Sequence, residues 1–305
     1  MKKKRNIIII SVIFAIILGI FLYGYSYLND IKTVKITNKD EELGIKSGED
    51  SEKDKGVINI ALFGGDGRTD EEVSRSDAIM ILSIDKTHKK IKLASIMRDT
   101  YVEIHGHGKT KLNHAYAHGG PELAIRTLNE NFDLDIRDYA FVNFDSFEKL
   151  VNAVGGVDVD LNVAEVDEIN KNISGSKING AGSNHLNGEQ ALAYTRIRNI
   201  GHGDYERTER QRRVISELFE KGRTVKMSRY PELVDSLFPY VETSLSKMEI
   251  VKLGTYGITN NIKTLEQTRF PKDENSKGQY IGDIWYLVTD LEATTEDIHK
   301  FIYEE

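Results

Sequence analysis

The sequence predicts an α/β domain with a mixed sheet covered by helices on both faces, set behind one N-terminal transmembrane segment. Short apolar runs of strand character alternate with longer helical patterns through most of the chain. Glycine pairs and polar clusters separate them. One uncharged stretch near the start is long enough to cross a bilayer.

Composition narrows the class. The chain has 305 residues, is 39% hydrophobic and 29% charged, and carries a net charge of −7. These values exclude a disordered polyelectrolyte and a polytopic membrane protein. Cysteine is absent, which removes disulfide scaffolds, thiolate metal sites and cysteine nucleophiles. The acidic balance argues against nucleic acid as a partner.

Residues 1–6 form a basic tail, with Lys2, Lys3, Lys4 and Arg5. Ile7 to Leu28 then runs without a charge. About 22 residues at ~1.5 Å each span the ~30 Å hydrocarbon core. The basic flank predicts a cytoplasmic N-terminus and an extracellular remainder, and Tyr23, Tyr25 and Tyr27 suit the outer interface. A cleaved signal peptide is the alternative; the run is long for one and no small-x-small site follows it. Residues 29–56 are mostly polar and charged and read as an extracellular linker without a core. The folded domain is expected over 57–305.

Within it, 57–63 (VINIALF), 78–84 (AIMILSI) and 91–97 (IKLASIM) read as buried strands. A helix is expected around 122–131 and a short strand at 141–144. Residues 145–154 read as a helix with Asp145 as N-cap and Gly155-Gly156 as its stop. VDVDL at 157–161 alternates as a strand. Asn187 opens a short helix, 204–221 form a longer one, and helical patterns recur near 231–239, 245–256 and 295–303. Residues after about 225 read as scaffold.

Three clusters carry candidate chemistry. Gly64-Gly65-Asp66-Gly67-Arg68 lies between the first two strands and precedes Arg75-Ser76-Asp77. It is either an ordinary turn with solvated charges or a place where Asp66 and Asp77 hold Mg²⁺ or Mn²⁺ beside a phosphate. Arg98-Asp99 follows the third strand, as an ion pair or a ligand clamp. Tyr194, Arg196 and Arg198 alternate, so an extended backbone puts them on one side. Asp204, Arg207 and Gln211 share a helix face that continues into Val214, Ile215 and Leu218, which points Arg207 and Gln211 inward. A buried arginine needs an anionic partner, either a carboxylate or a bound phosphate. Six arginines fall between 196 and 213, a concentration that favours a polyanion site; Arg210, Arg212 and Arg213 are read as the solvated face. His114 and His118 have a zinc-helix spacing, but Ala115 replaces the required glutamate and no third ligand is evident.

These clusters, in this order, resemble the LytR–CpsA–Psr family of cell-wall glycopolymer ligases. The likeness runs through NIALFGGDGR (59–68), RSDAIMILSI (75–84), ASIMRDTYV (94–102), KLNHAYAHGG (111–120), LVNAVGGVDVDL (150–161), LNGEQALAYTRIR (186–198) and GDYERTERQ (203–211). Gly65 stands where the family usually has Ser, and Met97 where it often has Pro. The resemblance implies an αβα three-layer sandwich with a long apolar pocket for a polyprenyl chain. It implies transfer of a glycopolymer, teichoic acid or capsular polysaccharide, from a polyprenyl-pyrophosphate carrier onto peptidoglycan N-acetylmuramic acid as a phosphodiester. By the same resemblance Asp66 and Asp77 bind the metal, and Arg75, Arg98, Arg196, Arg198, Arg207 and Gln211 bind pyrophosphate. Asp204 orients them, and Asp77 or Asp99 takes the acceptor's proton. A membrane-bound regulator that only holds polyprenyl phosphate, and a polyprenyl pyrophosphate phosphatase, are the alternatives.

Overall fold

The computed structural model describes residues 34–46, 56–66, 75–201 and 203–304. The basic tail, the apolar run 7–28, part of the linker, and Gly67 and Arg68 lie outside those residues. Among the described residues no helix is long and apolar enough to cross a membrane.

The three apolar runs form β1 (Val57–Gly65), β2 (Ser76–Asp85) and β3 (Lys90–Ile96). β4 (Tyr101–Ile104) and β5 (Gly108–Lys111) make a small ribbon after them. β6 (Asp138–Asn143), β9 (Glu242–Thr243) and β10 (Leu265–Phe270) complete a six-stranded sheet of order β10-β3-β2-β1-β6-β9. β1 pairs antiparallel with β2 and parallel with β6, while β3 pairs parallel with β10, so the sheet is mixed. The carboxyl ends of β1, β3, β6 and β10 and the start of β2 therefore share one end.

Side-chain alternation along β1 sorts the two faces. Val57, Ala61 and Phe63 pack under α1 (His114–Phe132), which reaches them through Ile125 and Leu128, and under α8 (Leu291–Tyr303), which does so through Ile298 and Ile302. Ile58, Ile60 and Leu62 face the other way, toward Leu245, Ile250 and Leu253. That second face is covered by α5 (Asp204–Thr224), α6 (Tyr230–Leu237) and α7 (Lys247–Thr259). A separate core joins α2 (Phe144–Ala153), β7 (Val157–Leu161), α3 (Val163–Asn172), β8 (Gly182–Leu186) and α4 (Gly188–Arg196) to Val214 of α5. VDVDL is thus a strand, but it pairs with β8 outside the main sheet.

Local chemistry explains several boundaries. α1 kinks at Gly119-Gly120, where Gly120 has φ of 62°, and Pro121 starts its second half. Asn143, rather than Asp145, caps α2, because its side chain accepts from the Ser146 amide at 2.8 Å. Asp145 then sits in the first turn, where its charge suits the helix dipole.

The linker expectation changes. Its described part, 34–46, lies against the domain. Leu43 is fully buried, Ile45 nearly so, and Asp40 pairs with Arg137. The Val34 amide donates to the carbonyl of Thr243 at 3.2 Å, extending the β9 edge. Three apolar side chains spaced among charges, Ile36, Leu43 and Ile45, join the core although the segment's composition is polar.

At the opposite end of the sheet from the strand carboxyl ends, Lys92 is fully buried. Its ammonium donates to the Ile302 carbonyl at 2.8 Å and lies 3.0 Å from Glu304 and 3.5 Å from Asp85. Asp85, His88 and Glu304 approach one another closely enough to suit a cation, but Lys90 and Lys92 already supply the positive charge. Hydrogen bonds from Lys90 and Lys92 hold the Glu304 carboxyl down to about 2. A depressed carboxyl stabilises the fold above its unfolded value of roughly 4.5, and that stabilisation fades as pH falls toward 2. Glu304→Gln is expected to lower the unfolding free energy at pH 7, with the gap to the parent closing between pH 4.5 and 2, as read by urea titrations across that range.

Candidate active site

The site is built at the carboxyl ends of the strands, where open α/β sheets place ligands. β3 delivers Arg98 and Asp99 just past its last residue, and the antiparallel β2 begins there with Ser76 and Asp77. The first turn of α5 brings Asp204 and Arg207 from far along the chain.

These side chains form one charged array. Arg98 Nε donates to Asp204 Oδ2 at 3.0 Å, and its Nη1 donates to Asp77 Oδ1. Asp99 Oδ2 is 3.5 Å from Arg98 Nε, and Asp99 Oδ1 is 2.8 Å from Lys111 Nζ. Arg198 lies 3.8 Å from Asp77 and 3.6 Å from Asp204. Arg207 Nη1 is 3.3 Å from Asp204 Oδ1, while its Nη2 donates to the backbone carbonyl of Asp77 at 3.0 Å. Among the described residues, Arg98, Arg198, Arg207 and Lys111 thus face Asp77, Asp99 and Asp204, four cations to three carboxylates in these contacts.

Burial bears on two of these arginines. Arg207 is 2% exposed, yet its Nε and Nη1 make no hydrogen bond. Burial pushes its guanidinium down to about 10, and neighbouring Arg98 adds to the shift against the pull of Asp204. Burial also works against Arg98, but Asp204, Asp77 and Asp99 outweigh it and raise its pKa. Gln211 Oε1, one turn beyond Arg207, is buried without a hydrogen-bond partner as well. Buried donors left unmade are costly. An oxygen-rich anion at this spot would offer acceptors to the arginine donors.

The remaining sequence-predicted residues fall at different distances from this centre. Asp66 and Arg75 sit just beyond the Gly65–Ser76 pair that closes the β1/β2 ladder, and both are exposed. Burial first, then the Arg75 charge, lowers the pKa of His114. Arg196 does not share a side with Tyr194 and Arg198. The backbone stays helical through Arg196, so Tyr194 is turned into a core and Arg196 lies over the Phe144 ring, 4.6 Å from its centroid. Arg196 and Arg198 instead flank a polar cleft of about 410 Å³ with Glu148, Glu168 and Glu189.

Two expectations about α5 are also corrected. Arg210 is not solvated: it is 4% exposed and bonds Glu165 at 2.9 Å. Arg212 is partly buried, and only Arg213 of the three is exposed. Lys111 is an addition to the site. The residue lies within KLNHAYAHGG, but nothing in the spacing marks it as a partner of Asp99, since the contact depends on how β5 folds back beside β4.

The resemblance implies an apolar pocket without naming its lining; the structure has an apolar cavity of about 410 Å³ between the sheet and helices α5 to α7, and its lining residues are a second addition. Ile60, Leu62 and Leu82 form its floor, and Phe219, Phe238, Leu253 and Ile258 its walls. Gly254 and Gly257 of α7 leave it room; a Cβ on Gly257 would stand 3.6 Å from Ile91. Much of the lining comes from residues after 225, which the sequence presents only as scaffold. The paired glycines on one helix face are the signal that points there.

The chain matches the LytR_cpsA_psr family model over residues 19–300. It belongs to the LytR–CpsA–Psr family. It is 33% identical over 294 residues to a protein of Bacillus cereus (strain AH820) named polyisoprenyl-teichoic acid–peptidoglycan teichoic acid transferase TagU, covering 94% of this chain and 92% of that one. A protein of the same name from Oceanobacillus iheyensis is 35% identical over 258 residues, 81% of this chain and 75% of its own. Among solved structures, TagT bound to LI-WTA superposes with a TM-score of 0.72 at 26% identity, covering 88% of this chain and 99% of that one. The family protein YwtF (TagT) with bound octaprenyl pyrophosphate lipid gives a TM-score of 0.68 at 25% identity, with the same coverage. The family's mixed α/β architecture is the one described above.

The two buried arginines of α5 predict opposite behaviour. Arg210→Ala strands Glu165 and is expected to cost roughly 3–5 kcal/mol. Arg207→Met removes an incompletely satisfied cation and is expected to leave stability unchanged or higher. Inorganic pyrophosphate should raise the melting temperature of the parent and of a fold-retaining control, but not of Arg207→Met; thermal scans with and without pyrophosphate check this.

Proposed function

We propose that this chain is a phosphotransferase that moves a glycopolymer, teichoic acid by preference, from a polyprenyl-pyrophosphate carrier to the C6 hydroxyl of peptidoglycan N-acetylmuramic acid. One observation carries the reading: a single helix joins the two halves such a donor requires. α5 presents Arg207 to the charged array and Phe219 to the apolar cavity. Twelve residues at ~1.5 Å separate them by about 18 Å. The names of the relatives support the same donor and acceptor.

In this reading Arg98, Arg198 and Arg207 grip non-bridging oxygens of the pyrophosphate, bidentately where their geometry allows. The acceptor hydroxyl attacks the phosphorus attached to the glycopolymer. An oxygen–phosphorus bond forms, the bond to the bridging oxygen breaks, and polyprenyl phosphate departs with the negative charge that the arginines stabilise. Asp77 or Asp99 receives the hydroxyl's proton; both oxygens of each face a cation, Arg98 and Arg198 for Asp77, Arg98 and Lys111 for Asp99. Asp66 and Asp77 offer hard oxygen donors of the type Mg²⁺ and Mn²⁺ take, and such an ion would add charge neutralisation at the phosphates. The apolar run 7–28 anchors the chain in the cell membrane with its N-terminus in the cytoplasm, which keeps the domain beside its lipid carrier.

The test uses the full chain in vesicles holding lipid-linked teichoic acid, with peptidoglycan fragments and Mg²⁺. The parent should yield conjugate and free polyprenyl phosphate. Arg98→Ala and Arg207→Ala should each lose about 10²-fold or more in rate while remaining folded. Gly257→Leu should abolish binding of polyprenyl pyrophosphate but keep the thermal shift from inorganic pyrophosphate. Polyprenyl phosphate release without conjugate would instead identify a phosphatase, and no release at all a binding protein.

A further inference from the structure

We propose that the hairpin after β10 is a membrane-dipping element that sets the catalytic end of the sheet against the outer leaflet. β11 (Ser276–Ile281) and β12 (Ile284–Thr289) pair antiparallel around the two-residue turn Gly282–Asp283, where Gly282 has φ of 60°. Its base is fixed to the site. The Leu287 amide donates to the Asp99 carbonyl at 2.9 Å, Tyr286 packs on Tyr101, and Lys111 lies 5.9 Å from the Trp285 ring centre. The tip is different. Tyr280 is 69% exposed, Ile281 37% and Ile284 49%. Two isoleucines and a tyrosine in water, beside an exposed Lys277, suit a bilayer interface: the aliphatic chains enter the acyl boundary, the phenol stays at headgroup level, and the ammonium meets phosphate. Isoleucines offer nothing to a glycan, whose binding sites need hydrogen-bonding groups beside their aromatic rings.

Chain length supplies the second support. Packing of 34–46 on the domain leaves only residues 29–33 between the apolar run and Val34. Six Cα steps at about 3.6 Å allow at most roughly 22 Å in any conformation. A 28-residue tether would have left the domain free to tumble; this one holds it at the surface. Val34 joins the sheet at β9, one edge, and the hairpin leaves from β10, the other. Five strand spacings of about 4.8 Å put these attachments some 24 Å apart. Two contacts on opposite edges fix the line along which the sheet lies on the surface, and in strand order the strands that carry the arginine array lie between them.

The orientation rests on the anchor and the lipid-borne donor proposed above, so its readout must not depend on turnover. The chain lacks cysteine, which allows single labels. Ile284→Cys and, at the opposite end of the sheet, Lys86→Cys carry nitroxides in the full chain, reconstituted in phosphatidylglycerol–phosphatidylethanolamine vesicles. Power saturation should show position 284 relaxed chiefly by lipid-soluble oxygen and position 86 chiefly by a water-soluble nickel chelate. A combined Tyr280→Ser, Ile281→Ser, Ile284→Ser variant should raise KM for vesicle-borne donor about tenfold with kcat unchanged. It should turn over a short-chain donor in detergent at the parental rate. Equal aqueous exposure at 284 and 86 would overturn the docking even with transfer intact. So would equal loss of turnover in detergent, which would place the tip on the acceptor, or failure of the full chain to float with vesicles. Immersion of 284 in a chain that makes no conjugate would uphold the docking and refute the transferase reading.

Discussion

The site depends on arginines that share their carboxylates, with Arg207 buried beneath the more exposed members of the array. Asp204 is shared by Arg98, Arg198 and Arg207, and Asp77 serves Arg98 and Arg198 while its carbonyl serves Arg207. Among the described residues these carboxylates and Asp99 hold the arginines in place and are one fewer than the cations once Lys111 is included. Such an array is costly to assemble, because burial works against Arg98 and Arg207. The fold offsets that cost elsewhere, through the apolar layers under α1 and α8 and the separate core around β7 and β8. On the reading proposed above, the array takes an anion with several oxygens, and the direction of α5 sets what kind of molecule carries it.

Other buried cations show what a purely structural solution looks like. Lys92 reaches a carbonyl and two carboxylates at the far end of the same sheet, and Arg210 bonds Glu165 and the Ile197 carbonyl. Arg207 lies on the same helix as Arg210, within one turn, yet keeps two nitrogens without hydrogen bonds. Arg212 Nη1 and Arg137 Nε are likewise buried without a hydrogen bond, so the contrast that bears on the site is the local one between Arg207, which faces the charged array, and Arg210, which does not.

Much of this was legible in the sequence, and the failures have physical causes. The three central strands are visible because they are buried on both faces and read as continuous apolar runs. Arg98, Asp204 and Arg207 are visible because they sit at strand ends or at helical spacing. Arg196 misleads because alternation cannot distinguish an extended segment from the last turn of a helix, and α4 continues through Tyr194, Thr195 and Arg196. Arg210 misleads because its partner Glu165 lies on α3, which no local pattern pairs with α5. The segment 34–46 misleads because composition averages over its length, whereas burial is decided by single side chains such as Leu43. The cavity is hardest, since its lining is chemically the same as core.

That last difficulty is informative. A sheet with isoleucine and leucine on both faces would ordinarily be packed tightly on both. Here one face is filled by α1 and α8, while the other keeps a cavity beneath α7, whose glycines at 254 and 257 are part of its lining. Glycine in a helix interior also costs about 1 kcal/mol relative to alanine. The chain thus forgoes helix propensity and packing at one place, and the gap lies along the helix that carries Arg207. An apolar cavity and a buried cation with hydrogen-bonding groups to spare, set on one helix, match the outline of an amphiphile with an anionic head and a hydrocarbon tail.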